Sequence, residues 1–297
     1  MQLYNTPFNT NKHLTYFFIF TLLLNWIFSL TPVLFGITGT ILGEIIFYLA
    51  YTSPAIVGLL FISTVYPQSA KQDFIYRYLS FREMGIKWPL LTILFFALTF
   101  IVSLTIGNYF NIKTSDIDWV HIAMYKPSQI AFILFASFIS SILSQEFGWR
   151  GYAIDKLLVR FGFTGSSIIL GLVCGVWYLG SYFTPNQIPY NLAQYSLFDA
   201  FLFIPNIVLL NFIINFVYIN TNRSILAAGF THMMYFFFNV QLILHYPIKL
   251  CVIAQYVQII FGLIFLAYII SSNKFKQKVN SEIEQIKSDN FEFELEY

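Results

Sequence analysis

Charged side chains are scarce in this sequence. Only 10% of its 297 residues are Asp, Glu, Lys or Arg, and 58% are hydrophobic, whereas soluble domains carry about a quarter charged residues. This balance excludes an ordinary soluble domain. The net charge is +2 and the basic residues are spread over several loops, which excludes a nucleic-acid partner.

Cysteine is equally sparse. Cys174 and Cys251 are the two cysteines, and each lies inside an apolar segment. That setting indicates small buried hydrophobic residues instead of a disulfide or a metal site. The first apolar run is too long for a cleavable signal and no small-residue cleavage site follows it, so we expect it to stay as a membrane span.

Long apolar runs are what the sequence has in abundance. About 20 apolar residues in a helix cross the ~30 Å hydrocarbon core of a bilayer. The chain therefore predicts an all-α, polytopic membrane helical bundle of about eight transmembrane helices, with the lipid bilayer as its first partner. The runs are roughly 14–36, 41–65, 89–107, 128–145, 164–181, 199–220, 224–244 and 250–271.

The distribution of Lys and Arg predicts the orientation. If these eight runs all cross the membrane, 13 of the 16 basic residues fall on one side. Because cytoplasmic loops carry the excess of positive charge, both termini are predicted to be cytoplasmic. We interpret residues 1–271 as one membrane domain and residues 272–297 as a short polar tail that is frayed or weakly helical. The connection 66–88 is predicted to lie along the cytoplasmic interface as an amphipathic segment.

One polar motif interrupts this apolar pattern. The stretch "SQEFGWRGY", residues 144–152, follows the fourth run and carries Glu146 and Arg150, which lie four residues apart and so on one helical face. Charges at membrane depth usually face the bundle interior and pair with each other. The residues alone leave two interpretations open: an ion pair that holds the helix end, or part of an active site.

Three motifs together resemble a known family. "QEFGWRGYAIDKL" resembles the first motif of the CAAX-protease and bacteriocin-processing (CPBP, or Abi) membrane proteins, in which two adjacent glutamates precede an arginine. The second and third motifs correspond to "GLVCGVWYLGSYFTPN", with Trp177, and to "NRSILAAGFTHMMYFFFN", with His232. The resemblance covers residues 128–245. It implies an all-α protein of the cell membrane, here a bacterial plasma membrane, and an intramembrane endopeptidase in which the first glutamate, two histidines and an asparagine activate water.

The sequence departs from the family pattern at three of those four positions. Gln145 replaces the first glutamate, Tyr178 replaces the second-motif histidine, and Phe236 replaces the asparagine. His232 is the one that remains. Asn239 follows His232 by seven residues, about 10 Å further along a helix, and is predicted to miss the site.

The remaining candidates for catalysis are Glu146 and His232. Since one His and one Glu fall short of the three protein ligands of a catalytic zinc, we expect no metal or cofactor, with zinc only if the protein is an active peptidase. Positions of the site that are predicted to be retained only as packing or pairing are Gln145, Arg150, Trp177, Tyr178 and Phe236.

Three functions follow from these observations. The first is a pseudo-protease scaffold that binds or regulates another membrane or membrane-anchored protein; the resemblance suggests a peptidoglycan hydrolase or a sensor kinase. The second is an active CAAX-type intramembrane endopeptidase that processes a peptide or bacteriocin or provides self-immunity. The third, a transporter, fits the apolar runs, but the sequence has no internal repeat of the kind that many transporters show.

Overall fold

The computed structural model describes residues 11–112 and 119–294, and this part of the chain contains helices and no strand. The predicted all-α class is therefore confirmed. The α-helices are α1 (Asn11–Leu34), α2 (Ile41–Tyr51), α3 (Ser53–Val65), α4 (Gln68–Leu79), α5 (Phe81–Met84), α6 (Lys87–Tyr109), α7 (Trp119–Tyr125), α8 (Pro127–Phe138), α9 (Glu146–Gly148), α10 (Ile154–Trp177), α11 (Ile188–Tyr195), α12 (Leu197–Asn220), α13 (Ile225–Phe236), α14 (Ile248–Ser271) and α15 (Asn273–Glu294).

Six helical stretches in the described residues are long and apolar enough to cross a membrane, or seven if α2 and α3, bent by 48° at Thr52, form one span. The number of crossings and the side on which the termini lie stay predictions. The six stretches are Lys12–Leu34, Lys87–Tyr109, Pro127–Tyr182, Leu197–Asn220, Ile225–His245 and Ile248–Ser271.

The stretch Pro127–Tyr182 contains both the fourth and the fifth predicted run, because the chain turns back within it. The side chain of Asn215 bonds Arg150 (Nη2 to Oδ1, 3.1 Å) and also Ser167 (Nδ2 to Oγ, 3.0 Å). In one straight helix those two residues would lie about 25 Å apart. Gly162 lies between them with φ +64° and ψ −175°, a conformation that is almost restricted to glycine, and we assign the change of direction to it.

The connection 66–88 forms two helices, α4 and α5, of which α4 packs on the bundle. Phe74 and Tyr78 lie against Phe147, with ring centroids 5.8 and 4.3 Å away. On the other face of α4, Ile75 is 54% exposed. One buried and one exposed face is the pattern expected of the amphipathic segment predicted for this connection.

A cluster of charges joins α4, α10 and α12. It lies at the end of the bundle that carries Arg77, Lys156 and Arg223, called the basic end below. The carboxylate of Asp155 accepts hydrogen bonds from Arg77 (3.0 Å), from the Tyr218 hydroxyl (2.7 Å) and from Arg223 (3.3 Å). Burial would lower the pKa of Arg77, but Tyr218 and Asp155 outweigh it and raise that pKa above its usual value. Both guanidinium groups therefore stay charged and hold the three helices together.

The C-terminal segment is a packed helix, so the prediction of a frayed tail is wrong for the described residues. Phe275, Val279 and Ile286 of α15 are buried, and Arg223 forms an ion pair with Asp289 (2.6 Å). The three apolar residues occupy positions i, i+4 and i+11, which lie on one helical face. The signal was present in the sequence, but the high content of charged residues around it hid the periodicity.

We predict that Gly162→Ala lowers the stability of the protein by about 1–3 kcal/mol, because alanine must adopt a backbone conformation that favours glycine. No atom lies within 4 Å of an added Cβ, so the effect reports backbone strain alone. Thermal melting of the purified protein in detergent measures it. The exposed neighbour provides the control: Thr164→Ala is expected to melt with the unaltered protein, and equal melting of Gly162→Ala would contradict the assigned turn.

Candidate active site

Two π-helical segments place the acidic motif at a close helix crossing. Ile139–Leu143 and Trp149–Ala153 flank the short helix α9, and π-helical turns of this kind are frequent at functional sites. At the crossing with α3, a Cβ added to Gly148 would clash with the carbonyl oxygen of Pro54. Because that atom belongs to the main chain, only glycine fits there, and the crossing fixes the position of the residues on either side.

The predicted pair of Glu146 and Arg150 is present, and His232 joins it. Arg150 Nη1 lies 3.2 Å from Glu146 Oε1, and His232 Nδ1 lies 2.7 Å from the same oxygen. Glu146 is 0% exposed, Arg150 1% and His232 5%. The motifs around residues 146 and 232, 86 positions apart, therefore meet in one buried network.

Two asparagines that the sequence analysis missed complete this network. Arg150 Nη2 donates to Asn211 Oδ1 (2.8 Å), and its Nε and Nη2 both donate to Asn215 Oδ1 (3.2 and 3.1 Å). The segment "NFIIN" carries both amides four residues apart in an otherwise apolar part of α12. That spacing puts them on one face, and two polar side chains on one face of a span indicate a buried polar partner.

The second oxygen of the Glu146 carboxylate has no partner among the described protein groups. Glu146 Oε2 is buried without a hydrogen bond, whereas Oε1 faces Arg150 and His232. An ionised carboxylate oxygen can only accept a hydrogen bond, so His232 Nδ1 is the donor in this contact. The pair thus retains one free carboxylate oxygen and one ring nitrogen as its chemically available atoms.

Gln145 is held away from this carboxylate by other contacts. Its Nε2 donates to the carbonyl oxygen of Ser140 (2.8 Å). Gln145 and Tyr178 are both buried, at 2% and 7% exposure. The amide nitrogen of Gln145 is therefore occupied by a main-chain carbonyl of the preceding turn.

Trp177 is a packing residue between two helices. Its Nε1 donates to the Ser53 hydroxyl (2.9 Å), and its ring lies edge-on to Trp149 with centroids 6.3 Å apart. Trp177 is 1% exposed. Trp177 therefore links α3 to α10 beside the site, and its indole N–H is used in the hydrogen bond to Ser53.

Aromatic side chains surround Phe236, the position at which the family pattern has an asparagine. Phe236 and Tyr178 both contact Tyr51, with ring centroids 6.4 and 6.3 Å away. A cavity of about 30 Å³ remains beside these three rings, which is room for one or two water molecules. Asn239 serves elsewhere: its amide oxygen accepts a hydrogen bond from Thr99 of α6 (3.1 Å).

Helix α4 covers the network from the basic end of the bundle. Burial of the Tyr78 hydroxyl, with a smaller contribution from the negative charge of Glu146, raises the pKa of Tyr78 to about 12. Tyr78 therefore stays protonated at neutral pH, and its ring stacks on Phe147. The sequence predicted an interfacial segment here but not its contact with the acidic motif.

The side chains at the site do not fit a catalytic zinc. Such an ion normally has three protein ligands, and Glu146 and His232 supply two donors. No group of three His, Cys, Asp or Glu side chains that could hold a metal exists in residues 11–112 and 119–294. The groups that the site itself supplies are a carboxylate, an imidazole, an amide and a phenol.

Comparison with known proteins finds relatives of the same kind as the family whose motifs the sequence resembles. A family model described as type II CAAX prenyl endopeptidase Rce1-like matches residues 127–238, a range that contains every candidate site residue. CAAX prenyl protease 2 of Methanococcus maripaludis is 23% identical over 220 residues, which cover 73% of this chain and 80% of that protein.

We predict that substitutions of Glu146 and Arg150 have non-additive effects on the stability of the protein. Removing one partner of a buried ion pair leaves an uncompensated charge and costs about 3–5 kcal/mol. Glu146→Gln and Arg150→Met should each lower the melting temperature markedly, and the double variant should lose less stability than the two losses added together.

The exposed pair Glu284–Lys287, at 2.7 Å with side chains 71% and 50% exposed, is the matched control. Glu284→Gln combined with Lys287→Met should leave the melting temperature almost unchanged. Strictly additive losses at Glu146 and Arg150 would contradict the network.

Proposed function

Because the chain belongs to the Rce1-like family of CAAX-protease membrane proteins, we propose that it is a member without peptidase activity that works by binding another membrane or membrane-anchored protein. The observation that supports this proposal is that Gln145, an amide, stands where the family pattern has a glutamate. A general base needs a carboxylate or an imidazole within hydrogen-bond reach of the attacking water. An amide whose nitrogen is bonded to the Ser140 carbonyl offers neither.

The surroundings of Gln145 support the same conclusion. Tyr178 and Phe236 take the places of a histidine and an asparagine, and the two rings pack against Tyr51. The cavity of about 30 Å³ beside these rings is too small for a peptide backbone, and none of Gln145, Glu146 and His232 lines it. Loss of one member of a cooperative catalytic set typically costs orders of magnitude in rate, and three positions differ here.

The burial of the site bears on where a partner binds. Glu146, Arg150 and His232 are each at most 5% exposed, so a second protein cannot contact them without opening the bundle. We therefore propose that a partner binds on the outer faces of the helices. A peptidoglycan hydrolase or a sensor kinase is the class of partner that we propose for it.

One observation favours a second candidate, a peptidase with rearranged chemistry. His232 lies 2.7 Å from Glu146, and Glu146 Oε2 is unpartnered, as a carboxylate that accepts a proton from water would be. Against this candidate, Arg150 contacts the same carboxylate and stabilises its charged form in both interpretations. The two candidates differ in whether the unaltered protein cleaves a peptide.

Restoring the family residues tests the first proposal. The unaltered protein in liposomes should not cleave a farnesylated CAAX reporter peptide, and Gln145→Glu combined with Tyr178→His and Phe236→Asn should cleave it about 10²-fold faster or more, because a positioned base contributes that much. The control is the double variant Tyr178→His/Phe236→Asn, which keeps the amide and should stay inactive. Cleavage by the unaltered protein that disappears in His232→Ala, with its melting temperature retained, would favour the second candidate.

Purification of the full-length protein in mild detergent tests the binding role. We expect a membrane or membrane-anchored protein at comparable stoichiometry in the same fraction, and zinc well below one ion per chain by elemental analysis. An unrelated polytopic protein purified in the same way provides the control for nonspecific carry-over. Stoichiometric zinc that is lost in His232→Ala, with no co-purifying protein, would contradict the proposal.

A further inference from the structure

A groove separate from the acidic motif lies between α6, α12, α14 and the start of α15. Its volume is about 490 Å³, within the range of about 300–1,000 Å³ that small-molecule sites occupy. Lys87, Lys274 and Lys278 lie at one end of it, and apolar side chains that include Leu91 and Phe265 line the rest. None of the residues of the Glu146 network lines this groove.

The groove is placed where a membrane surface would be. Lys87 begins α6, and Lys274 lies three residues after α14 ends at Ser271. Phe95, which also lines the groove, lies eight residues after Lys87 and therefore about 12 Å deeper along the helix. The groove thus runs from the polar end of the spans into their apolar part.

The charges at the polar end are not balanced within the described chain. Lys278 Nζ is paired with Glu282 (2.7 Å) and with the Asn222 amide oxygen (2.8 Å). Lys87 and Lys274 have no carboxylate within salt-bridge distance among residues 11–112 and 119–294, and both are exposed. Two positive charges therefore stand at the mouth of an apolar groove.

We propose that this groove binds one anionic phospholipid of the surrounding bilayer. The phosphate lies at Lys87 and Lys274, and one acyl chain lies along Leu91, Phe95 and Phe265. Basic pockets between transmembrane helices on the cytoplasmic side recognise anionic head groups, and the sequence predicts that 13 of the 16 basic residues, Lys87 and Lys274 among them, lie on that side. A soluble anion would leave the apolar depth unused, and a zwitterionic lipid would bring its own cation to the lysines.

Native mass spectrometry of the full-length protein in detergent tests the charge requirement. Titration with phosphatidylglycerol should give tighter binding than titration with phosphatidylcholine. Each juxtamembrane lysine contributes about fivefold to such binding, so Lys87→Gln combined with Lys274→Gln should weaken phosphatidylglycerol binding about 25-fold. Lys276→Gln is the matched control, because Lys276 is exposed on the same helix and lies outside the groove; it should lower binding no more than about twofold.

A second pair of variants tests whether the groove itself is used. Leu91 is 45% exposed and lines the groove, whereas Leu94, 65% exposed on the same helix, does not. Leu91→Trp should fill the groove and reduce phosphatidylglycerol binding at least threefold, while Leu94→Trp should leave it unchanged. Equal binding of both lipids, equal effects of Leu91→Trp and Leu94→Trp, or competition by inorganic phosphate at equal molar concentration would each overturn the proposal.

Discussion

The buried carboxylate of Glu146 is the group on which the arrangement of this protein depends. A charge without exposure to water costs several kcal/mol unless it is paired and hydrogen-bonded. Its partners come from separate parts of the chain: Arg150 from the adjacent π-helical turn and His232 from α13. Arg150 in turn requires the amides of Asn211 and Asn215 on α12, so one charge fixes the relative positions of three segments.

The same network is distinct from the residues that the proposed loss of activity concerns. Glu146, Arg150 and His232 hold the helices together whether or not a neighbouring residue activates water. Under the proposed function, Gln145 and Tyr178 place neutral side chains where the family pattern has ionisable ones, which removes a proton acceptor without leaving a buried charge unpaired. On that proposal, the ion pair of Glu146 and Arg150 stabilises this region and Gln145 does not.

The sequence predicted the helical class, the pairing of Glu146 with Arg150 and the segment that holds His232, because each follows from composition, helical spacing or a motif. It did not predict that Asn211 and Asn215 bind Arg150, since contacts more than 60 residues apart leave no periodic signal. The reversal between the runs 128–145 and 164–181 was predicted, but its position at Gly162 was not, because one glycine among apolar residues has many interpretations before its φ is known. For α15, the apolar face of Phe275, Val279 and Ile286 was visible in the sequence but was outweighed by its charged neighbours.

The central claim is that the pocket keeps its ion pair but lacks the group that takes a proton from water. Hydrolysis in ¹⁸O-labelled water measures this most directly, because each cleaved peptide bond places one labelled oxygen in the new carboxylate. With the unaltered protein in liposomes and a farnesylated CAAX peptide, the account predicts no more labelled product than protein-free liposomes give. Labelled product that forms with the unaltered protein and is absent with folded Glu146→Gln or His232→Ala would contradict it.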